Sequence, residues 1–242
     1  MQISYGSKSD SGRVRPSNED SYGAHIKIPL FLVADGMGGH AAGEIASQIA
    51  AATVEEVMLR QDDNIERPED VLRRAAEEAN KRVFETQRQR PEYAGMGSTL
   101  TALSIKNNHY YIAHVGDSRA YLLRSGALDQ LTRDHSLVCQ LYESGVLERD
   151  QLSSHPQKHV ITRSIGSTSS VEVDIKQGDA LMGDVYLLCS DGLTDVLTHE
   201  GIRQILSAGD KTPQQLCEDL VDAANSGGGP DNVTVVVIRL EK

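Results

Sequence analysis

Between positions 99 and 131 the chain crosses two tight-turn signals, Asn107-Asn108 and Ser125-Gly126, each flanked by short apolar runs at 99–105, 109–115, 121–123 and 128–131. Asn tolerates positive φ and suits a two-residue hairpin, and Ser125-Gly126 repeats the device. Successive hairpins demand antiparallel sheet, because parallel pairing needs long crossovers.

The rest of the chain fits around that sheet. Residues 21–26 and 30–34 read as strands, and from Ala42 the period changes: Ile45, Ala46, Ile49, Ala50, Thr53, Val57 and Met58 recur at helical steps. A second helix begins at Pro68, a residue suited to the first helical position, with Val71, Leu72, Ala75, Ala76, Ala79 and Val83 on one stripe. Residues 132–170 lose periodicity and predict an irregular excursion of short helical pieces and polar turns. Residues 185–189 read as a buried strand, Thr212-Pro213-Gln214-Gln215 as a capping box opening a helix, and 233–238 as a closing strand. Strand pairs and helix pairs alternate in blocks, which favours layered α+β over a doubly wound parallel sheet. With 242 residues, 39% of them hydrophobic, one sizeable core is expected, and no linker or repeat divides the chain.

Charge and cysteines exclude several functions. A net charge of -11 argues against nucleic acid as a partner, while leaving room for an Arg pocket that takes one phosphate. Cys139, Cys189 and Cys217 are odd in number and form no CxxC pair, so neither a disulfide framework nor a zinc site is indicated, and a reducing cytoplasm fits. The first residues lack the pattern of a signal peptide, and no apolar run approaches the ~20 residues that span a bilayer.

Four acidic motifs recur where an apolar run meets a turn: Asn18-Glu19-Asp20, Asp35-Gly36-Met37-Gly38-Gly39-His40, Ser190-Asp191-Gly192 and Gly229-Pro230-Asp231-Asn232. Carboxylates alike in context suggest one site, and crowded carboxylates repel unless a cation neutralises them; hard ions such as Mg²⁺ and Mn²⁺ take such oxygen ligands. Gly36, Gly38 and Gly39 permit a sharp turn and close approach of main-chain oxygens to an ion. The glycines fit neither phosphate-loop pattern, since Glu44 follows Gly43 where a Walker loop needs Lys and the spacing is not GxGxxG. Cys189 is followed by Ser190 and Asp191 with no Arg nearby, which rules out a thiolate phosphatase and makes it core. No calcium-loop pattern of spaced acids with a terminal Glu occurs. Hydrolysis by metal-activated water remains: Asp20, Asp35, Asp191 and Asp231 suffice to bridge and flank two ions, and Arg15 is the natural bidentate receiver of phosphate.

The ordered set Arg15-x-x-Asn18-Glu19-Asp20, Asp35-Gly36-Met37-Gly38-Gly39-His40, Gly97-Ser98-Thr99, Gly116-Asp117-Ser118-Arg119, Asp134-His135-Ser136, Ser190-Asp191-Gly192 and Gly229-x-Asp231-Asn232 resembles the metal-dependent serine/threonine protein phosphatases, the protein phosphatase 2C or PPM family, in compact bacterial form. The match spans roughly residues 12–238. The resemblance implies a four-layer α/β/β/α sandwich of two antiparallel sheets flanked by helices, as a single domain over 1–242 with a flap at about 132–170. It implies two core Mn²⁺ or Mg²⁺ ions and a weaker third. Asp35 would bridge the core ions, the Gly36 carbonyl would bind one, and Asp191 and Asp231 the other. Asp20, or Glu19 through water, would complete the shell, and Asp117 would share the third ion with Asp191. Arg15 would bind substrate phosphate. His40 is a candidate general acid, although in eukaryotic members the proposed acid directly follows Asp-Gly, where this chain has Met37. His159, in the flap, is a candidate substrate contact. Ser98 and Thr99 are expected to satisfy backbone groups beneath the cleft, and Asn232 to tighten the turn that aims Asp231.

The implied activity is hydrolysis of phosphoserine and phosphothreonine in proteins by hydroxide activated at the metals, opposing Ser/Thr kinases, in a cytoplasmic monomer without membrane or nucleic-acid partners. Two rivals remain: a phosphatase of nucleotides or small phosphoesters, and a non-catalytic family member that binds phosphoproteins.

Overall fold

Leu30, Phe31, Leu32 and Val33 follow one another without a polar break, and all four are fully buried. Successive strand residues face opposite sides. Leu30 and Leu32 meet helices on one face, while Phe31 and Val33 meet a second sheet on the other. The closing strand shows the same division, with Val233, Val235 and Val237 under helices and Val236 and Ile238 against the facing sheet. Unbroken apolar runs are the signature of strands covered on both faces.

The computed structural model describes residues 2–38, 42–61, 67–152 and 154–241. In chain order its elements are β1 (Gln2–Asp10), β2 (Asp20–His25), β3 (Leu30–Met37), α1 (Ala42–Leu59), α2 (Pro68–Gln89), β4 (Gly97–Ser98), β5 (Leu100–Lys106), β6 (His109–Val115), β7 (Arg119–Arg124), β8 (Ala127–Gln130), α3 (Leu137–Glu143), β9 (Asp174–Asp179), β10 (Val185–Cys189), α4 (Asp191–Thr194), α5 (His199–Leu206), α6 (Pro213–Ser226) and β11 (Val233–Glu241). One sheet runs β1-β11-β10-β7-β8 and the other β2-β3-β5-β6-β9, with β4 paired to β3. Every pairing is antiparallel. Helices α1 and α2 cover the second sheet and α5 and α6 the first, giving the four layers expected.

Local chemistry explains most element ends. Asn107 and Asn108 take φ of 52° and 59°, and Ser125 and Gly126 take 52° and 84°, so both hairpins close through paired left-handed residues. Thr212 accepts from the Gln215 N–H while Gln215 reaches back to the Thr212 N–H, the predicted capping box. Helix α1 starts at Ala42 as expected, and Ala46, Ala50, Thr53 and Met58 of its predicted stripe are buried, but the centre of the inward face is shifted. Ala46, Ala50 and Val54 are buried, whereas Ile45, Ile49 and Val57 are only partly so. Small residues on that face let α1 lie close to the sheet and to α2.

Among the elements that carried no signal are β1, β9 and α5. β1 and β9 are polar edge strands, QISYGSKSD and DIKQGD, held by pairing to β11 and β6. Edge strands with charged residues are common because they discourage pairing with other chains. α5 is short and buries only Ile202 and Leu206 fully. Residues 132–170 are irregular apart from α3 and a 3₁₀ turn at Arg149–Gln151. Their two ends are tied together, Leu137 N–H to the Val160 carbonyl at 2.8 Å and Thr162 N–H to the His135 carbonyl at 2.8 Å. Among the described residues no helix is long and apolar enough to cross a membrane.

Candidate metal centre

Asp20 opens β2, Asp35 lies in β3, and the antiparallel register sets them directly opposite. Such pairs have Cβ atoms about 5 Å apart on one face. Asp191 is the first residue of α4, immediately beyond β10, and Asp231 stands just before β11, the neighbour of β10. Each sheet therefore contributes two carboxylates at one end of the sandwich. Asp117 lies on the connection from β6 to β7, where the chain passes between sheets.

Hydrogen bonds fix these positions. Ser190 Oγ donates to Asp20 Oδ2 at 2.8 Å and accepts from the Thr234 N–H at 3.0 Å, joining the two sheets through one hydroxyl. Asn232 Oδ1 accepts from the Glu19 N–H at 2.8 Å, and its Nδ2 donates to the carbonyls of Ser11 and Ser17 at 3.1 and 2.8 Å. Asn232 does more than tighten its own turn: it ties the acidic loop before β2 to the loop that carries Asp231. Beneath the site the Asp35 N–H donates to Thr99 Oγ1 at 2.9 Å, and Ser98 Oγ donates to the Asp35 carbonyl at 3.0 Å, as predicted. Gly36 is required by crowding, since a Cβ there would run into the carbonyls of Gly43 and Glu19.

Electrostatics show what the arrangement lacks. Burial, with Asp191 and Asp231 adding like charge, pushes the Asp20 carboxyl up to about 7 against the hydrogen bonds from Thr234 and Ser190. Burial and then the charges of Asp20, Asp191, Asp117 and Asp231 hold Asp35 well above the usual carboxylate range. Asp117 is pushed up to about 8 by burial and then Asp191, and Asp191 to about 6 by burial, Asp195 and Asp231. Glu19 is also raised, chiefly by burial. Asp20 Oδ1 and Asp117 Oδ1 are buried without a hydrogen-bond partner among the described residues. An orphaned buried carboxylate oxygen costs about 1–3 kcal/mol or more, because its lost hydration is not replaced. Oxygen donors alone, several of them unsatisfied and mutually repelling, fit a hard divalent cation.

Above the carboxylates a cleft of about 1060 Å³ is lined by Arg15, Glu19, Asp35, Gly36, Asp191 and Asp231 among others. Asp20 is not among the residues that line it. Arg15 stands at the rim, half exposed, with one guanidinium nitrogen 2.7 Å from Asp231 Oδ2. Asp191 also lines a second cavity of about 720 Å³, which holds Asp117. Lys158 and His159 separate the two, at 3.2 and 3.4 Å from Asp195 Oδ2. His159 thus reaches the acidic cluster: it, Asp191 and Asp195 each offer a ligand atom within 4.8 Å of the others. His40 lies outside the described residues. Burial pushes the Cys189 thiol up to about 12, which agrees with a core role.

Sequence reading missed Asp195, Lys158 and the bridging role of Ser190. Only Asp195 carried a usable signal, its four-residue spacing from Asp191. The Asp134-His135-Ser136 motif was recognised without a role.

The sequence and the fold are similar to those of known proteins. The sequence profile described as protein phosphatase 2C matches residues 6–141. Serine/threonine protein phosphatase PstP of Mycobacterium tuberculosis (strain ATCC 25618 / H37Rv) is 40% identical over 240 residues, covering 98% of this chain and 45% of PstP. The chain thus spans about half the length of that relative. Serine/threonine phosphatase stp of Listeria monocytogenes (strain ATCC BAA-679 / EGD-e) is 36% identical over 237 residues, covering 96% of this chain and 94% of its own. A crystal structure of the catalytic domain of PstP in complex with two manganese ions superposes with a TM-score of 0.90 at 37% identity, covering 99% of each chain.

Proposed function

Because this chain belongs to the protein phosphatase 2C family, we propose that it is a metal-dependent protein serine/threonine phosphatase that hydrolyses phosphoserine and phosphothreonine in proteins and so opposes Ser/Thr kinases. One observation carries the reading: Asp20, Asp35, Asp191 and Asp231 converge from both sheets at the end of the sandwich that holds the cleft, Asp117 joins them from the adjoining cavity, Asp20 and Asp117 carry orphaned buried oxygens, and Arg15 stands at the rim. A non-catalytic member would lack some of those acids.

Divalent ions of the Mn²⁺ or Mg²⁺ kind, when bound, activate water and offset charge on phosphoryl oxygens. The chain's own residues do the rest. Asp35 would serve both core ions, the Gly36 carbonyl one of them, and Asp191 and Asp231 the other, with Asp20, or Glu19 through water, completing the shell. Asp117 and Asp191 would hold a third, looser ion. Arg15 exchanges its Asp231 contact for the substrate phosphate, whose tetrahedral oxygens suit its planar fork. His159, on the segment beside the cleft, faces the incoming peptide, and His40 is the candidate proton donor to the leaving alkoxide. Action as a monomer in the cytoplasm belongs to the same proposal.

The test is a panel of phosphoserine and phosphothreonine peptides beside nucleoside phosphates and a small aryl phosphate, each with Mn²⁺ and with EDTA. Metal-dependent peptide hydrolysis supports the reading. Hydrolysis of nucleotides without peptides would move the activity to small phosphoesters, and turnover that survives EDTA would sink the metal mechanism.

A further inference from the structure

Asp117 sits in the three-residue connection Gly116-Asp117-Ser118 between β6 and β7, and one dipeptide, Asp134-His135, holds its first residue and Arg119, where β7 opens. On one side the His135 N–H donates to the Gly116 carbonyl at 2.7 Å, and the Gly116 N–H donates to His135 Nδ1 at 3.0 Å. On the other, Arg119 grips Asp134 through Nε, at 3.0 Å to each carboxylate oxygen, and through a terminal nitrogen at 2.6 Å. Gly116 takes φ of 109°, a conformation open to glycine and rarely adopted by L residues, and a Cβ there would run into the Thr99 side chain.

The imidazole is set for this task. Nδ1 accepts from the Gly116 N–H, which in a neutral ring leaves the proton on Nε2, a nitrogen that lies 3.3 Å from Asp174 Oδ2 and 3.0 Å from Arg163 Nη1. Asp174 is itself held by Arg163 at 2.7 Å. A carboxylate that orients an imidazole, whose far nitrogen then fixes a group at a metal position, is the arrangement that surrounds many metal ligands. His135 is nearly buried and touches neither the cleft nor a reacting atom in the geometry described.

We propose that Asp134 and His135 are positioning residues for Asp117, clamping the two ends of its loop so that its orphaned carboxylate oxygen is presented toward Asp191 for the third ion. The inference rests on the phosphatase reading for its catalytic consequence, but not for its binding consequence. Core ions would be held by Asp35, Asp191, Asp231 and Asp20, none of which hydrogen-bonds to Asp134 or His135 among the described residues; the loop reaches Asp35 only through the Ser118 and Thr99 hydroxyls, so the clamp acts first on the third ion.

The experiment measures Mn²⁺ binding by calorimetry and the Mn²⁺ dependence of aryl phosphate hydrolysis in wild type, His135→Phe, His135→Asn and Asp117→Ala. Phe fills the ring's space and removes the acceptor. Asn returns an oxygen acceptor at the Nδ1 position but leaves nothing for Asp174. Expected results are two tight ions in every variant. The weakest binding event should weaken about tenfold in His135→Phe, within the range seen when supporting groups around metal sites are removed, and recover in His135→Asn. Half-saturating Mn²⁺ for turnover should shift with it. In the Asp117→Ala background, His135→Phe should add no further effect. Unchanged third-ion affinity in a folded His135→Phe protein would overturn the proposal, as would failure of His135→Asn to restore it. If wild type binds three ions yet hydrolyses nothing, the phosphatase reading fails while the binding comparison still decides this one.

Discussion

His114 provides a measurable link between acidity and the support of this site. Its ring is buried in the second sheet, Nδ1 2.9 Å from Thr101 Oγ1 and Nε2 3.0 Å from the Arg133 carbonyl, with the His135 ring centroid 4.8 Å away. Burial first, and then the neighbouring His135, lowers its pKa to about 4; the charges of Asp134 and Asp174 oppose this without prevailing. An unfolded histidine titrates near 6.5. Because the folded value is depressed, the unfolded chain binds the extra proton first. Stability is therefore full above pH 6.5 and falls as pH drops toward 4, by up to about 3 kcal/mol at about 1.4 kcal/mol per pH unit. Between pH 7 and pH 5 the share lost is about 2 kcal/mol, or roughly 4–8 °C in melting temperature for a chain of this size. His114→Gln carries no titrating group and keeps a donor toward Arg133. Urea unfolding of both proteins in EDTA at pH 7 and pH 5 isolates the effect, since the other titrating groups remain in both. The stability difference should move by about 2 kcal/mol in favour of the variant at pH 5. A difference that stays constant within about 0.5 kcal/mol would refute a buried neutral histidine.

Metal-free protein should also weaken as pH rises, for the opposite reason: Asp20 and Asp117, raised to about 7 and 8, give stability that is lost as they ionise. Mn²⁺ should accordingly raise the melting temperature more at pH 8 than at pH 6, and by about 5–10 °C at a concentration 100 times Kd; a shift equal at both pH values would contradict the carboxylate assignment. Arg15→Lys should raise KM for a phosphopeptide about tenfold, because an ammonium cannot span two phosphate oxygens, with kcat changed less; steady-state kinetics would show an unchanged KM if Arg15 never meets substrate. Cys189→Ala should keep turnover within about twofold, since its thiol is core, whereas loss of activity in a stably folded variant would reopen nucleophilic catalysis by Cys189.

Much of this was legible in the sequence because period and turn chemistry are local properties. Asn107-Asn108 announces its hairpin, Thr212-Pro213 announces α6, and the carboxylates announce themselves by standing at strand ends. β1 was invisible for a physical reason: its order comes from the nine-residue pairing with β11, at the other end of the chain. The face of α1 was legible in Ala46, Ala50, Thr53 and Met58, but its centre was not, because large aliphatics such as Ile45 and Ile49 outweigh alanine in any periodicity while close packing here selects alanine. At the site the residue types could be read but not their bracing. Ser190 and Asn232 act through contacts 170 and 213 residues away in sequence. Nothing in the spacing of Asp134-His135 reveals that it grips both ends of the Asp117 loop.

The division of carboxylates between the sheets, Asp20 and Asp35 on one and Asp191 and Asp231 on the other, also bears on kinetics. The cation site is complete only when the two sheets dock, and contacts so far apart in sequence are expected to form late, since long closures are slow to make. Interactions absent from the folding transition state change the unfolding rate and leave the folding rate alone. A bound divalent ion should therefore act as a brake on unfolding. Added Mn²⁺ should slow the unfolding arm of a denaturant chevron while the refolding arm stays where it was.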